Sequence, residues 1–237
     1  MDITEAGILK ARDFSEVAIA ESLVGWWPLN GDTKDLTEYM NDGTNNGATL
    51  VSGHDGKMAY EFTTSSRISV DTLTLTGDLT ITYWINPGRE SNYRVLNAAN
   101  FAHCVWHPTS TQIGLDDRNQ SGSMRYINFS QASILANSWS HIAVTRKDNT
   151  TIAYINGVNE GSVTNWSERI ELSRIGYKTD NTGWSAYTGK IQDVRIYNRT
   201  LSPEEIAILY EMTGGSNSKM KMSEDGILYI KGEFNEV

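Results

Sequence analysis

The sequence predicts an all-β protein, a two-sheet antiparallel jelly-roll sandwich with one short helix near its C-terminus. Three observations carry this. Thr, Tyr, Trp, Val and Ile recur in short runs, and Asn, Asp, Gly and Ser separate them. The first group suits a pleated, half-buried surface and the second turns the chain. The runs recur at the spacing of a sandwich. Only Ser202-Pro203-Glu204-Glu205 reads as a strong helix start, with Ser202 as cap, Pro203 at the first position and Glu205 closing a capping box.

Taken in order, Leu23–Leu29 reads as the opening strand, followed by a polar, glycine-bearing loop through Gly47. Lys57–Phe62 and Arg67–Val70 read as a strand pair. Leu79–Ile85 alternates apolar residues with Thr and Trp and ends at Asn86-Pro87-Gly88, a strong turn signal. Val95–Val105, Thr111–Leu115 and Met124–Phe129 are further strands. Trp139–Arg146 and Thr151–Ile155 form a hairpin about Asp148-Asn149. Asn156-Gly157 is a second tight turn, leading into Val158–Val163. Glu171–Gly176 and Gly189–Tyr197 close the set. In the last strand Ile191, Val194 and Ile196 are interleaved with Asp193 and Arg195, as a half-buried strand requires.

With 237 residues, 39% of them hydrophobic, the chain can bury a core. Its net charge of −9, from 29 acidic and 20 basic residues, would repel a phosphate backbone. Nucleic acid is therefore excluded as a partner, whereas neutral glycans and divalent cations stay compatible. Cys104 is the single cysteine, so no intrachain disulfide forms. No apolar run approaches the roughly 20 residues of a membrane helix, so no membrane insertion is expected. The acidic N-terminus lacks the layout of a secretory signal. A protein of this kind acting outside a cell has lost its signal or leaves by another route, such as virion assembly and host lysis.

Six segments resemble, in the right order, the laminin-G-like, concanavalin A-like jelly rolls. They are Leu23–Asp32, Lys34–Thr44, Leu79–Asn86, Trp139–Thr145, Tyr154–Gly157 and Ile191–Tyr210. The resemblance runs from about Leu23 to Met212. It implies a binding module more often than a catalyst. It also implies one structural Ca2+, held where the early loop meets the last strand. Asp35 matches the family's loop aspartate, Asn41 and Gly43 match its Asn-x-Gly, and Asp193 matches the aspartate before Val-Arg-Ile-Tyr. Asp32 is an extra candidate ligand. A hard cation wants six to eight oxygens, which such a loop can supply. Leu36-Thr37-Glu38-Tyr39 departs from the family's small residues, and an ordinary polar turn is the alternative.

Sugar binding needs aromatic faces beside polar groups. The candidates are Trp106 with His107 before Pro108, and Trp166, Trp184 and Tyr187 in polar stretches, with Asp116, Asp117, Arg118 and Asn119 as hydrogen-bonding neighbours. Packing over a sheet edge is the alternative for each. Trp26, Trp84, Trp139, His141 and Cys104 read as core. Glycoside hydrolysis needs two carboxylates at a fixed separation, which catalytic jelly rolls often place on one strand as Glu-x-Asp-x-x-Glu. That motif is missing, and Glu204-Glu205 is accounted for by helix capping. The chain is therefore expected not to be an enzyme.

The two ends match one another. Glu5–Val17 and Glu224–Val237 share a Glu, Gly-Ile-Leu, an acidic residue, Phe, Glu and Val across one single-residue gap. The chain thus divides into an attachment motif at 1–22, the jelly roll at 23–213 and a second copy of the motif at 214–237. Such ends could pair with each other or with neighbouring copies, unless the match is chance. They also resemble the ends of bacteriophage tail and fibre proteins. The resulting expectation is a structural or adhesive virion component, in a tail, fibre or capsid surface. Its partners would be a glycan or cell-surface receptor, and other virion proteins or copies of itself. A secreted bacterial carbohydrate-binding module, and then a polysaccharide hydrolase or lyase, are the alternatives.

Overall fold

The computed structural model describes residues 19–89, 93–98, 103–117, 125–164, 169–176, 186–215, 220–222 and 228–230. The strands are β1 (Leu23–Trp27), β2 (Thr44–Asn46), β3 (Thr49–Ser52), β4 (Met58–Phe62), β5 (Arg67–Leu75), β6 (Leu79–Pro87), β7 (Tyr93–Asn97), β8 (His103–His107) and β9 (Gln112–Asp117). They continue with β10 (Arg125–Asn128), β11 (Ser140–Lys147), β12 (Thr150–Ile155), β13 (Val158–Val163), β14 (Ile170–Ile175) and β15 (Gly189–Tyr197). The helix α1 (Pro203–Met212) follows, then a small ribbon of β16 (Met220–Met222) and β17 (Leu228–Ile230).

Two antiparallel sheets face each other, as the sequence predicts. One has the order β13-β12-β11-β6-β15-β4-β3, with β1 also on β15, and the other has the order β10-β9-β8-β7-β14-β5-β2. Alternation selects the core. In β11, Ile142 and Val144 point between the sheets, as do Ala153 and Ile155 of β12, Ile81, Tyr83 and Ile85 of β6, and Val105 of β8. The β12–β13 turn uses Asn156 and Gly157, both at positive φ (51° and 79°), as a two-residue hairpin demands.

Three expectations are corrected. The strands around 57–62 and 67–70 do not pair. β4 pairs with β15 and β3, whereas β5 pairs with β14 and β2. The Thr63–Ser66 turn carries the chain between sheets, so Phe62 and Ile68 meet in the core from opposite sides. Val95–Val105 is not one strand but parts of β7 and β8, which pair as a hairpin. The stretch before Gly47, expected as loop throughout, ends in β2, and β3 follows it; each sheet gains a strand.

α1 begins as its sequence dictates. The Ser202 hydroxyl accepts from the Glu205 backbone N–H, and the Glu205 carboxylate accepts from that of Ser202. Arg199 holds the same carboxylate at 2.7 Å. Ile206 and Leu209 bury themselves against Ile19, Ala143, Tyr154, Tyr197 and Leu201 on the outside of the eight-stranded sheet. Each contributes about 1.5–3 kcal/mol relative to exposure. Beside them Trp84 lies between His54 (4.0 Å between ring centres) and Tyr210 (5.7 Å), with its indole N–H donating to Thr213. α1 and the His54 loop thus seal the middle of this outer face.

Candidate functional site

The predicted metal residues do gather, but around Trp26. Its backbone N–H donates to Asp35 Oδ1 (2.9 Å) and its indole N–H to Asp193 Oδ1 (2.7 Å). Asp193 sits at φ 52°, where β15 breaks register, and its carboxylate also takes the Arg195 guanidinium at 3.0 Å. Arg195 in turn lies 4.6 Å over the Trp26 ring. Burial disfavours its charge, yet Asp193 and Tyr197 more than compensate and raise its pKa.

The early loop closes on itself. Asp35 accepts from the backbone N–H groups of Trp26, Thr37 and Asn41 and from the Thr37 hydroxyl. Both ends of the Asn41 carboxamide are used by the backbone of Asp71 (3.1 and 2.6 Å). The Gly43 carbonyl accepts the Thr33 hydroxyl, and the Asn41 carbonyl accepts the Trp27 indole. Asp32 stands apart and accepts only from Lys34 N–H. Among the described residues no three His, Cys, Asp or Glu converge as a metal site. Both oxygens of Asp35 serve N–H and O–H donors and one oxygen of Asp193 serves Trp26 and Arg195, so in this geometry the set is a hydrogen-bonded clasp rather than an open calcium cage. A chelator is therefore expected to shift the melting temperature by less than about 1 °C, whereas loss of a tightly held structural ion would lower it by about 5 °C or more. Differential scanning calorimetry with and without EDTA decides.

The predicted sugar residues divide. Tyr187 and His107 have no accessible surface. The Tyr187 hydroxyl donates to the Lys190 carbonyl (2.7 Å), while His107 Nε2 meets the Tyr83 hydroxyl (3.0 Å) and its ring stacks on Tyr93 (4.9 Å). Neither offers a face to a ligand, and both are corrected to core residues. Trp166 and Trp184 lie outside the described residues, as do Arg118 and Asn119.

Trp106 holds a different position. In register it lies opposite Arg94 and Gly114, and Gly114 lies opposite Tyr126. Residues opposite one another share a face. Because Val105, Ile113 and Ile127 point into the core, this row is on the outside of the seven-stranded sheet. A second row on that face runs Asp116, Cys104, Asn97, Arg174, Ser69 and Thr44. At about 4.8 Å per strand the six positions span about 24 Å. Tyr126 is 45% exposed, and beside it Gln112 donates to Asn128 at 2.6 Å. Among the described residues no helix packs on this face. Sequence reasoning missed Tyr126, although the alternation of Ile127 and Phe129 toward the core marks it as outward.

Neither Glu160 nor Glu205, the two partly buried carboxylates with shifted pKa values, has the character of a general acid. A general acid needs a raised pKa. Burial pushes Glu160 and Glu205 upward, but the Gln131, Ala132 and Ser130 donors lower Glu160 and Arg199 lowers Glu205, and both end below the ordinary value. Among the described residues no helix is long and apolar enough to cross a membrane.

Among solved structures, the chain is similar to domain 4 of AbnA, a GH43 extracellular arabinanase from Geobacillus stearothermophilus, in complex with arabinotriose. The TM-score is 0.64 at 18% identity, covering 80% of this chain and 98% of that one. It is also similar to the binding domain of Paraclostridial Mosquitocidal Protein 1 (TM-score 0.63, 20% identity, 82% of this chain and 53% of that one). The ligand binding domain of botulinum neurotoxin serotype D, in complex with N-acetylneuraminic acid, matches at TM-score 0.62 and 16% identity, over 84% of this chain and 52% of that one. The chain spans about half of each toxin domain, and at these identities the likeness shows the fold. No curated protein sequence matches it. The family model of the concanavalin A-like lectin/glucanases matches residues 42–207, which hold nearly all strands of both sheets and the start of α1, and the chain belongs to that superfamily.

Proposed function

We propose that the chain is a non-catalytic glycan-binding module whose ligand lies along the outside of the seven-stranded sheet. One observation carries this: that face presents Tyr126, 45% exposed, beside the Gln112–Asn128 pair, and among the described residues no helix lies over it, whereas α1 covers the middle of the opposite face. Exposed aromatic faces with amides and charged groups beside them suit pyranose and furanose rings. Crystallisation of the arabinanase domain with arabinotriose, and of the toxin domain with N-acetylneuraminic acid, supports a saccharide as the ligand class. The experiment is titration with an oligosaccharide panel that includes arabinotriose. Tyr126→Ala is expected to weaken binding about tenfold, roughly 1.4 kcal/mol, without unfolding the domain. Equal affinity in the variant would remove this face from the reading.

We further propose display in many copies on a virion, as a tail, fibre or capsid-surface component that attaches to a host glycan or receptor. The matched ends, Glu5–Val17 and Glu224–Val237, support it. They lie outside the described residues except for Leu228–Ile230, which pairs with Met220–Met222. Multivalent display turns weak single sites into avidity, by about 100-fold or more. The full-length chain is expected to form an assembly that falls to monomer when trimmed to Leu23–Thr213, as measured by light scattering. Monomers in both cases would favour a free extracellular binding module.

A further inference from the structure

The outside of the eight-stranded sheet is sealed only in its middle. Trp84 and Gln192 are opposite one another, and the His54 loop covers both, with the His54 backbone N–H donating to Gln192 at 2.7 Å. Two residues along each strand, on the same face, come Asn86 and Lys190, again opposite one another. Among the described residues the cover ends there. A cleft of about 640 Å³ opens, lined by Glu61, Asn86, Asn137, Thr64, Thr188 and Lys190. This volume lies within the range of small-ligand sites, about 300–1,000 Å³.

Its floor is bare backbone. Gly189 sits at φ 121°, and a Cβ there would lie 2.3 Å from the Asn86 carbonyl oxygen and 2.6 Å from Gly88 N. Gly88 is tied down by its N–H donating to the Thr188 carbonyl (2.7 Å), and the Asn137 backbone N–H donates to the Pro87 carbonyl. A side chain at Gly189 would collide with the β6 backbone, so this part of the cleft is lined by main chain.

Its walls are polar and unspent. Lys190 lies in register between Glu61 on one side and Asn86 on the other. Acceptor, donor and dual-purpose groups thus follow each other at strand spacing, about 4.8 Å. In the described structure none of the Glu61, Lys190, Asn86 and Asn137 heads makes a hydrogen bond or ion pair, although a cross-strand Glu–Lys neighbour pair could have closed on itself.

We propose that this cleft is a second ligand site, separate from the Tyr126 face, and that it takes a neutral saccharide. A ligand anion would meet Glu61 and a cation would meet Lys190. Ring hydroxyls, each both donor and acceptor, can satisfy both charges and both carboxamides together. With no exposed aromatic platform among its described lining, the site relies on hydrogen bonds, and its affinity is expected to be weak, on the order of millimolar.

The test is a 1H–15N NMR titration of the full-length protein with neutral oligosaccharides (arabinotriose, cellotriose, maltotriose) and with N-acetylneuraminic acid. At least one neutral sugar is expected to give saturable shifts at Gly88, Asn137, Thr188, Gly189 and Lys190. Lys190→Ala with Asn86→Ala should weaken these at least tenfold, whereas Tyr126→Ala should leave them unchanged. Shifts near Tyr126 alone, or none in the cleft with any neutral sugar, would overturn the second site and leave the first untouched. Stronger cleft shifts with the acidic sugar would overturn the neutral class.

Discussion

Acidification from pH 7.5 to about 4.5 is expected to cost the fold about 5 kcal/mol, a large part of the roughly 5–15 kcal/mol of a typical domain. Two buried histidines cause it. Burial pushes His107 down to about 3, against a hydrogen bond that its ring donates to the Gln112 backbone, which acts upward. Burial also pushes His141 down to about 3, and the positive charges of Arg195 and His54 act in the same direction. In the unfolded chain each titrates near its ordinary value of about 6.5. Below that pH the unfolded state binds protons that the folded state refuses, so stability is complete above about 6.5 and falls as pH drops toward 3. The slope is about 1.4 kcal/mol per pH unit for each histidine. His54, lowered by burial and stacked on Trp84, adds in the same sense. Glu160 and Glu205 have depressed values, so their contribution is lost in a separate, more acidic window. Urea midpoints across this range measure the effect. His107→Gln should remove about half of the slope between pH 6.5 and 4.5. Equal stability at both ends of the range would show that the rings are not held neutral.

These histidines also show what was legible from the sequence and what was not. The sandwich, the hairpin at Asn156-Gly157 and the capped helix were readable because each is set within a few residues. His141 was readable as core because its Trp-x-His strand resembles a core strand of the family, and it is 2% exposed. His107 and Tyr187 were not. They neighbour Pro108 and Thr188, and their burial depends on Tyr83 and Tyr93 arriving from other strands. The cross-sheet step between β4 and β5 was equally hidden, because a short polar turn reads the same whether it closes a hairpin or crosses a sandwich. For the early loop, the residue types were right and the partners were not. Asp35 and Asp193 do come together, through the two N–H groups of Trp26, a residue read as core from its place within a strand.

That loop carries the other large effect. Asp35→Ala is expected to lower stability by about 4 kcal/mol and the melting temperature by about 10 °C. Asp35 is 5% exposed, and its loss strands three backbone N–H groups and the Thr37 hydroxyl. A buried donor without an acceptor costs about 1–3 kcal/mol, reduced where water enters. The damage reaches beyond the loop because the loop joins both sheets. Trp26 belongs to β1 of the eight-stranded sheet, and Asn41 is tied to Asp71 of β5 in the seven-stranded one. Asp35→Asn should be intermediate, since its oxygen still serves Trp26 and Thr37 while its amide faces the Asn41 N–H. Arg195→Gln should also destabilise, by taking away the charge that neutralises Asp193 over the Trp26 ring. Calcium provides the control. If the donors around Asp35 are what hold the sheets together, the loss is the same with calcium and with EDTA. A loss seen only with calcium, with wild type and variant equal in EDTA, would mean that Asp35 acts through a bound ion, and the hydrogen-bonded clasp would fall.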